Sequence, residues 1–397
     1  MLVGILLALL LGTLMGTFTG LFPGIHINLV GAFLVSLSAS ALYNTNAIYL
    51  VVFISSMAIT HTFVDFIPSI FLGCPNEDTA LSILPGHNML RKGEGYEATM
   101  RTAYGGLASV FILVILAFPL AVIVSNIYPI IQKIIPFILI IVCIIMIFSE
   151  RKRFLGFIVL ALTGILGLCV LNLNIKEPLL PLLSGLFGSS MLIMSINQNT
   201  KISKQKLHFK GLNFKNLLKP LSGAIIASPL CGFLPGLGGG QAAVIGNQIS
   251  RTNEKDFLIL LGAVNVLVMG LSFVSLYSIS KTRTGAAVAI QSILGEMDIN
   301  ILFLIICVCF ISGIISFFIV KYISIEFLKI IEKINYKRLS IAIIMLLSVI
   351  VLLISGLLGF IVFVISTITG IYCISLNVRK TQMMGCLLIP TIILYLI

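Results

Sequence analysis

Apolar residues in this chain gather mostly in runs of about 20, the length that an α-helix rising 1.5 Å per residue needs to cross a ~30 Å hydrocarbon core. Residues 1–22 and 25–42 form two such runs, divided by Pro23-Gly24. A longer run at 46–72 carries His61, Asp65 and Pro68, and a polar, glycine-rich segment at 73–99 follows it. Runs at 100–125, 127–149, 154–171 and 179–196 are separated by Asn126, by Glu150-Arg151-Lys152-Arg153 and by residues 172–178. After a basic stretch at 197–219 the order repeats. Runs at 220–234 and 237–250 flank Pro235-Gly236, and a charged turn from Arg251 to Asp256 leads into a run at 257–280. A polar segment at 281–300 and runs at 301–320, 339–358, 360–377 and 382–397 complete the chain.

This pattern predicts an all-α polytopic membrane protein in two halves, 1–196 and 220–397, joined by the basic linker 197–219. A Pro-Gly pair cannot continue a helix, since Pro lacks the amide donor and Gly adopts conformations that other residues resist. In lipid, broken backbone survives only where protein buries it or where it lines a cavity. Each half is therefore expected to hold one re-entrant Pro-Gly helical hairpin plus about five transmembrane helices. Five is odd, so the second half enters the membrane from the opposite side, as an inverted-topology repeat.

Composition agrees, for with 59% hydrophobic and 10% charged residues and a mean hydropathy of +1.18 the chain is no ordinary soluble domain. The net charge of +12 calls for no nucleic acid, because the basic residues cluster between the apolar runs. With both termini outside and 197–219 in the cytoplasm, 21 of the 25 Lys and Arg are cytoplasmic, and only Lys133, Lys176, Lys281 and Arg283 lie outside or near the outer face. That bias is the one retained positive charge produces in the cell membrane. Residues 1–11 lack a basic leader and read as a retained membrane segment. The eight cysteines include no CxxC pair and read as packing. No metal signature and no cofactor motif is present.

The two breaks resemble each other. Aligning Pro23 with Pro235, 212 positions apart, also lays Gly20 on Gly232 and Gly24 on Gly236. In the second copy, Gly238-Gly239-Gly240 offers consecutive backbone amides at the start of a half-helix, where the helix dipole adds an anion site needing no charged side chain. In the first, His26 and Asn28 stand where Gly238 and Gly240 stand. Pro23, Gly24, His26, Asn28, Pro235, Gly236, Gly238, Gly239, Gly240 and Gln241 are the expected substrate-binding residues. Close packing of two helices is the other use of such glycines, but broken helices in paired positions point to a transporter site. No Gly-Lys-Ser/Thr follows, so this is no P-loop.

His61 and Asp65 lie four apart on one face of an apolar run. Ionisable groups at membrane depth line pathways or pair with each other, so both are candidates for coupling to H+ or Na+; a structural hydrogen bond near the interface is the open alternative. Asn247, Gln248, Asn265 and Ser272 are further polar lining. The segment from Lys321 to Arg338 has a basic face beside Ile323, Phe327, Ile330, Ile331 and Ile334 and suits an interfacial helix on anionic lipid. Lys201 to Lys219 reads as a solvated loop, and nothing local marks Glu77-Asp78.

On the two Pro-Gly motifs, Gly20 to Asn28 and Gly232 to Gln241, and on Gly86-His87-Asn88-Met89-Leu90-Arg91-Lys92-Gly93-Glu94-Gly95, the chain resembles over essentially its whole length the large membrane subunit of the tripartite tricarboxylate transporter family, TctA-like and of archaeal type. The resemblance implies a permease that moves carboxylates by ion-coupled alternating access, and Pro23, Gly24, Pro235, Gly236 and Gly238 to Gly240 in substrate binding. It also implies a small membrane subunit and a soluble solute-binding protein as partners. Cys74-Pro75-Asn76-Glu77-Asp78 departs from the family by placing acid near the anion path. Two alternatives stay open: a carrier of lipid-linked (polyprenyl) phosphate, whose headgroup would suit the same amides, and a membrane-embedded enzyme using His26, His61 and Asp65, which lacks a recognisable nucleophile.

Overall fold

The computed structural model describes residues 1–22, 46–74, 78–197, 203–207, 209, 211–233, 238–282, 284–331 and 336–396. The expected site residues Pro23, Gly24, His26, Asn28, Pro235 and Gly236, and the run at 25–42, lie outside them. Helix α1 (Leu2–Leu21) is Leu-rich throughout and ends as Phe22 turns extended (φ −95°, ψ 107°), the conformation that a following proline imposes. Helix α2 (Ala47–Val64) starts where the Asn46 side chain accepts from the Ile48 amide at 3.0 Å. It breaks at Asp65 and resumes as α3 (Phe66–Leu72), because Pro68 has no N–H to give the Val64 carbonyl.

Next come α4 (Ile83–Arg91), α5 (Gly95–Phe148), α6 (Arg153–Leu171), and α7 (Leu179–Leu183), which runs through the π-helical turn Ser184–Ser189 into α8 (Ser190–Asn197). The second half holds α9 (Phe214–Gly232), α10 (Gly239–Ser250), α11 (Glu254–Ile279), α12 (Gly285–Leu294), α13 (Ile299–Ile331), α14 (Tyr336–Ser375) and α15 (Gly385–Leu396). The described residues are helical without strands, and seven of their helices are long and apolar enough to cross a membrane. The chain is a multi-pass membrane protein.

At the centre is α11, in which every residue from Phe257 to Leu276 is buried. Its neighbours reach it through glycine. A Cβ on Gly262 would collide with the Thr102 carbonyl oxygen, one on Gly105 with that of Ile259, and one on Gly270 with Leu113. Without a hydrophobic force between helices in lipid, such backbone approach is what holds them. The same device places Gly12, Gly16 and Gly20 of α1 against Phe53, Met57 and Val64 of α2.

The order of these contacts fixes helix direction. Helices α1 and α2 run the same way, as do α5 and α11. Helix α13 runs against α5, with Phe111 meeting Phe310 and Phe118 meeting Phe303, but with α2, since Ser316 donates to Thr60 while Val308 packs by Val52. It follows that α2 and α11, which occupy corresponding positions 212 residues apart, point in opposite directions. Helices α9 and α10 are antiparallel, Gly223 lying on Gly246.

Several boundaries differ from the sequence expectation. Helix α5 continues through Asn126 because its Nδ2 donates to the Val122 carbonyl one turn earlier (3.0 Å), so the polar residue is satisfied by its own helix. The run expected at 127–149 lies within α5, where Lys133–Phe148 is a shorter apolar stretch; those expected at 179–196 and 382–397 are likewise apolar helical stretches of 10–17 residues, roughly 15–26 Å of helix. The polar segments at 73–99 and 281–300 contain α4 and α12. The described part of 321–338 is no separate interfacial helix: 321–331 are the end of α13, where Leu328 is buried and Phe327 stacks on Phe71 at 6.2 Å, and 336–338 begin α14. Helix α14 bends at Gly356, whose φ of 69° and ψ of −169° only glycine adopts readily.

Along 203–207 the linker keeps Ser203, Lys204 and Lys206 exposed but is anchored at the buried Gln205. Gln205 accepts from the Gly95 amide (3.0 Å) and donates to the Leu90 carbonyl (2.7 Å), and the Lys206 amide donates to Gly93 (2.8 Å). Beside it the starts of α5 and α11 are tied by ion pairs: Arg101 to Glu97 (2.8 Å) and Asp256 (3.3 Å), Lys255 to Glu94 (2.8 Å) and Glu97 (3.1 Å). The hydrogen bond from Lys255 holds the Glu94 carboxyl below the usual carboxylate range. A lowered pKa stabilises the fold above the unfolded value of about 4.3 and loses that contribution as pH falls through the folded one.

Two outcomes are expected. Gly262→Val forces a branched side chain into the Thr102 carbonyl and should cost upwards of ~1–3 kcal/mol, seen as a lower melting temperature and loss of a monodisperse peak; Gly295→Ala, with nothing within 4 Å of its Cβ, should cost only the ~1 kcal/mol of an unfavourable φ. Melting temperature followed from pH 7 to pH 3 should fall less steeply in Glu94→Gln than in the parent protein.

Candidate functional site

Helix α10 begins at a glycine that cannot cap it. Gly238 is extended (φ −95°, ψ 174°) as an N-cap is, but has no side-chain oxygen for the exposed amides of the first turn. Two other residues supply what it lacks. Gln241 Oε1 accepts from the Gly238 amide at 2.7 Å, which is one half of a capping box. The other oxygen comes from 161 residues away: Asp78 Oδ1 accepts from the Gly239 amide at 2.6 Å. A carboxylate thus sits at the positive end of α10 in a charge-assisted hydrogen bond. Gly239, Gly240 and Gln241 are buried, and a Cβ on Gly239 would stand 2.7 Å from Asp78 Oδ1, so only glycine admits the carboxylate without displacement.

Asp78 is held by its neighbours. The buried Thr79 hydroxyl is 2.6 Å from Ser69 Oγ, and Ser69 also donates to the Asp65 carbonyl (2.9 Å) on α3's preceding turn. Sequence reasoning placed the acid of Glu77-Asp78 near the anion path but not its contact with Gly239; the signal that finds it is an N-cap glycine in a buried helix start, which demands an acceptor from elsewhere.

His61 and Asp65 are both buried. The His61 Nδ1 lies 3.0 Å from the Thr19 hydroxyl of α1. Asp65 faces α11: Asn265 Nδ2 is 3.2 Å from Oδ2 and 3.5 Å from Oδ1, and 3.2 Å from the Thr62 carbonyl. Asn265, expected as polar lining, is therefore a direct partner of the membrane carboxylate. Ser272 instead bonds the Thr284 hydroxyl at 2.9 Å.

On the other side of α10 from its start lies a cavity of about 680 Å³ between the two halves, lined among others by Leu81, Phe187, Asn247, Arg251 and Arg379. Val244, Asn247, Gln248 and Arg251 of its wall follow i, i+3, i+4, i+7 and so form one stripe of α10. No group of three or more His, Cys, Asp or Glu among the described residues is placed to hold a metal ion.

Comparison with known proteins gives the chain a kinship. The profile of the Tripartite tricarboxylate transporter TctA family matches residues 6–385. An uncharacterized protein of Methanocaldococcus jannaschii is 34% identical over 355 residues, covering 87% of this chain and 88% of its own length. No solved structure matches.

If Asp78 and Gly239 form one contact, their substitutions are not independent. The melting penalties of Asp78→Ala and Gly239→Ala should fail to add in the double variant by about 1 kcal/mol, whereas strict additivity would place the two residues apart.

Proposed function

The chain belongs to the tripartite tricarboxylate transporter TctA family, a transporter component, and we propose that it is a secondary active permease for small organic anions such as di- and tricarboxylates. The anion binds between two re-entrant hairpin tips, at the amides of Gly238, Gly239 and Gly240 with Gln241 from one tip and at Pro23, Gly24, His26 and Asn28 from the other, with Pro235 and Gly236 shaping the second turn. The observation that carries this reading is the Asp78 carboxylate on the Gly239 amide: the helix start accommodates a carboxylate, and that occupant is tethered, so a substrate carboxylate takes its place when Asp78 swings away. Helix α10 supports re-entry, since 12 residues make only about 18 Å of helix. The opposed directions of α2 and α11 support an inverted repeat with 1–196 and 220–397 as its halves, and the clustering of Lys and Arg supports both termini outside with 197–219 in the cytoplasm. His61 and Asp65 carry the coupling ion, H+ or Na+; a buried carboxylate bonded to Asn265 is the residue type that proton and sodium pathways use. A small membrane subunit and a solute-binding protein complete the assembly.

The test is uptake of labelled citrate, succinate and malate into proteoliposomes under an imposed pH or Na+ gradient. Gradient-driven uptake should fall at least tenfold in Gly239→Val, whose side chain blocks the carboxylate position, and in Asp65→Asn, with both variants still inserted. Undiminished uptake in Gly239→Val would remove the tip from the substrate path. Stabilisation by a short-chain polyprenyl phosphate and by none of the carboxylates would move the function to lipid-carrier transport.

A further inference from the structure

We propose that Arg251 and Arg379 form a second carboxylate station in the cavity between the halves, separate from the start of α10, which selects anions bearing two or more carboxylates. This deepens the permease reading above and rests on it. Both residues line the 680 Å³ cavity, a volume in the usual range for small-molecule sites. Neither has a carboxylate partner among the ion pairs of the described residues, all of which involve other cations. A planar guanidinium offers parallel N–H donors matched to a carboxylate, and Asn247, Gln248, Thr252 and Thr381 add neutral hydrogen-bonding groups to the same wall. The one acidic lining residue, Glu254, faces Asn88 Nδ2 at 3.5 Å, so the lining still carries an excess of one positive charge.

Each arginine is mounted on a backbone that the fold has fixed. Arg251 ends α10 in the left-handed region (φ 49°, ψ 56°), its amide donating to the Asn247 carbonyl at 2.7 Å. Asn247 Oδ1 in turn accepts from the Thr252 amide (3.2 Å) and hydroxyl (2.7 Å). Glycine or asparagine is the ordinary residue at such a helix end, so Arg251 holds a backbone conformation that glycine would adopt more readily. The Arg379 amide donates to Glu150 Oε2 (3.1 Å), while Glu150, 8% exposed, takes the Arg151 amide on its other oxygen (3.3 Å). Glu150 is thus a positioning residue for the Arg379 loop.

Length decides how the two stations work. From Gly240 to Arg251 the stripe of α10 covers roughly 16 Å, far longer than a small di- or tricarboxylate. One anion cannot bridge both, so it occupies them in succession: the arginines on the cytoplasmic side, the amides of α10 deeper in.

Equilibrium binding to the purified full-length protein by isothermal titration at low ionic strength tests this, with citrate, acetate, inorganic phosphate and a short-chain polyprenyl phosphate as probes. Citrate should bind the parent protein, and Kd should rise at least tenfold in Arg379→Gln and in Arg251→Gln. Arg251→Gly, which relieves the left-handed backbone, should melt at or above the parent temperature and still lose citrate, separating binding from folding. Gly239→Val should keep citrate at the mouth while losing uptake. Citrate binding unchanged in all three arginine variants would overturn the station while leaving the permease reading intact. Arginine-dependent binding of either phosphate probe without citrate would overturn the carboxylate assignment, and the two probes tell a free phosphate from a lipid headgroup. No carboxylate binding to the parent protein would overturn both the station and the permease reading.

Discussion

Everything in this molecule is arranged around a helix that touches no lipid. Helix α11 is buried from Phe257 to Leu276, and a helix so enclosed must be approached closely on all sides. Leucine against leucine earns nothing in a membrane that lipid tails do not already supply. The glycines Gly105, Gly262 and Gly270 solve this by letting backbone meet backbone or side chain directly. Because Gly105 belongs to the first half and Gly262 to the second, the seam that buries α11 is also the seam that joins the halves, and the ion pairs of Arg101 and Lys255 close its end.

On that scaffold the polar groups divide into two kinds. Asp65, Asn265 and His61 lie deep among helices, where a charge is expensive and its partners decide its state. Arg251, Arg379 and Glu254 lie at the cavity, where water reaches them. Helix α10 connects the two regions, with its glycine start inside and its arginine end at the mouth. The positive end of its dipole meets the Asp78 carboxylate, while its C-cap, Arg251, stands at the cavity.

Hydropathy made the membrane class and most of the spans legible, because runs of apolar residues report on solvent alone. The ends of α1 at Leu21 and of α9 at Gly232 were legible because the prolines that follow, Pro23 and Pro235, act locally. What escaped were contacts between distant residues. Asp78 caps Gly239 across 161 positions, and no local pattern announces it. Gln205 docks the linker by replacing water at Gly95 and Leu90, which a basic, polar stretch conceals. Asn126 read as an interruption although its amide bonds the turn before it. Arg251 and Arg379 sat in charged turns that sequence assigns to solvent, and only the meeting of the two halves turns those loops into walls.

The hydroxyl pair of Ser69 and Thr79 has a mechanical meaning. Ser69 follows Asp65 by one helical turn, and Thr79 follows Asp78 by one residue, so a 2.6 Å hydrogen bond fastens the segment bearing the membrane carboxylate to the segment bearing the cap of α10. Neither segment shifts far without straining that fastening. The cap of α10 and the buried acid of the membrane interior thus hang on one shared pair of hydroxyls, so that the position of each is set partly by the other.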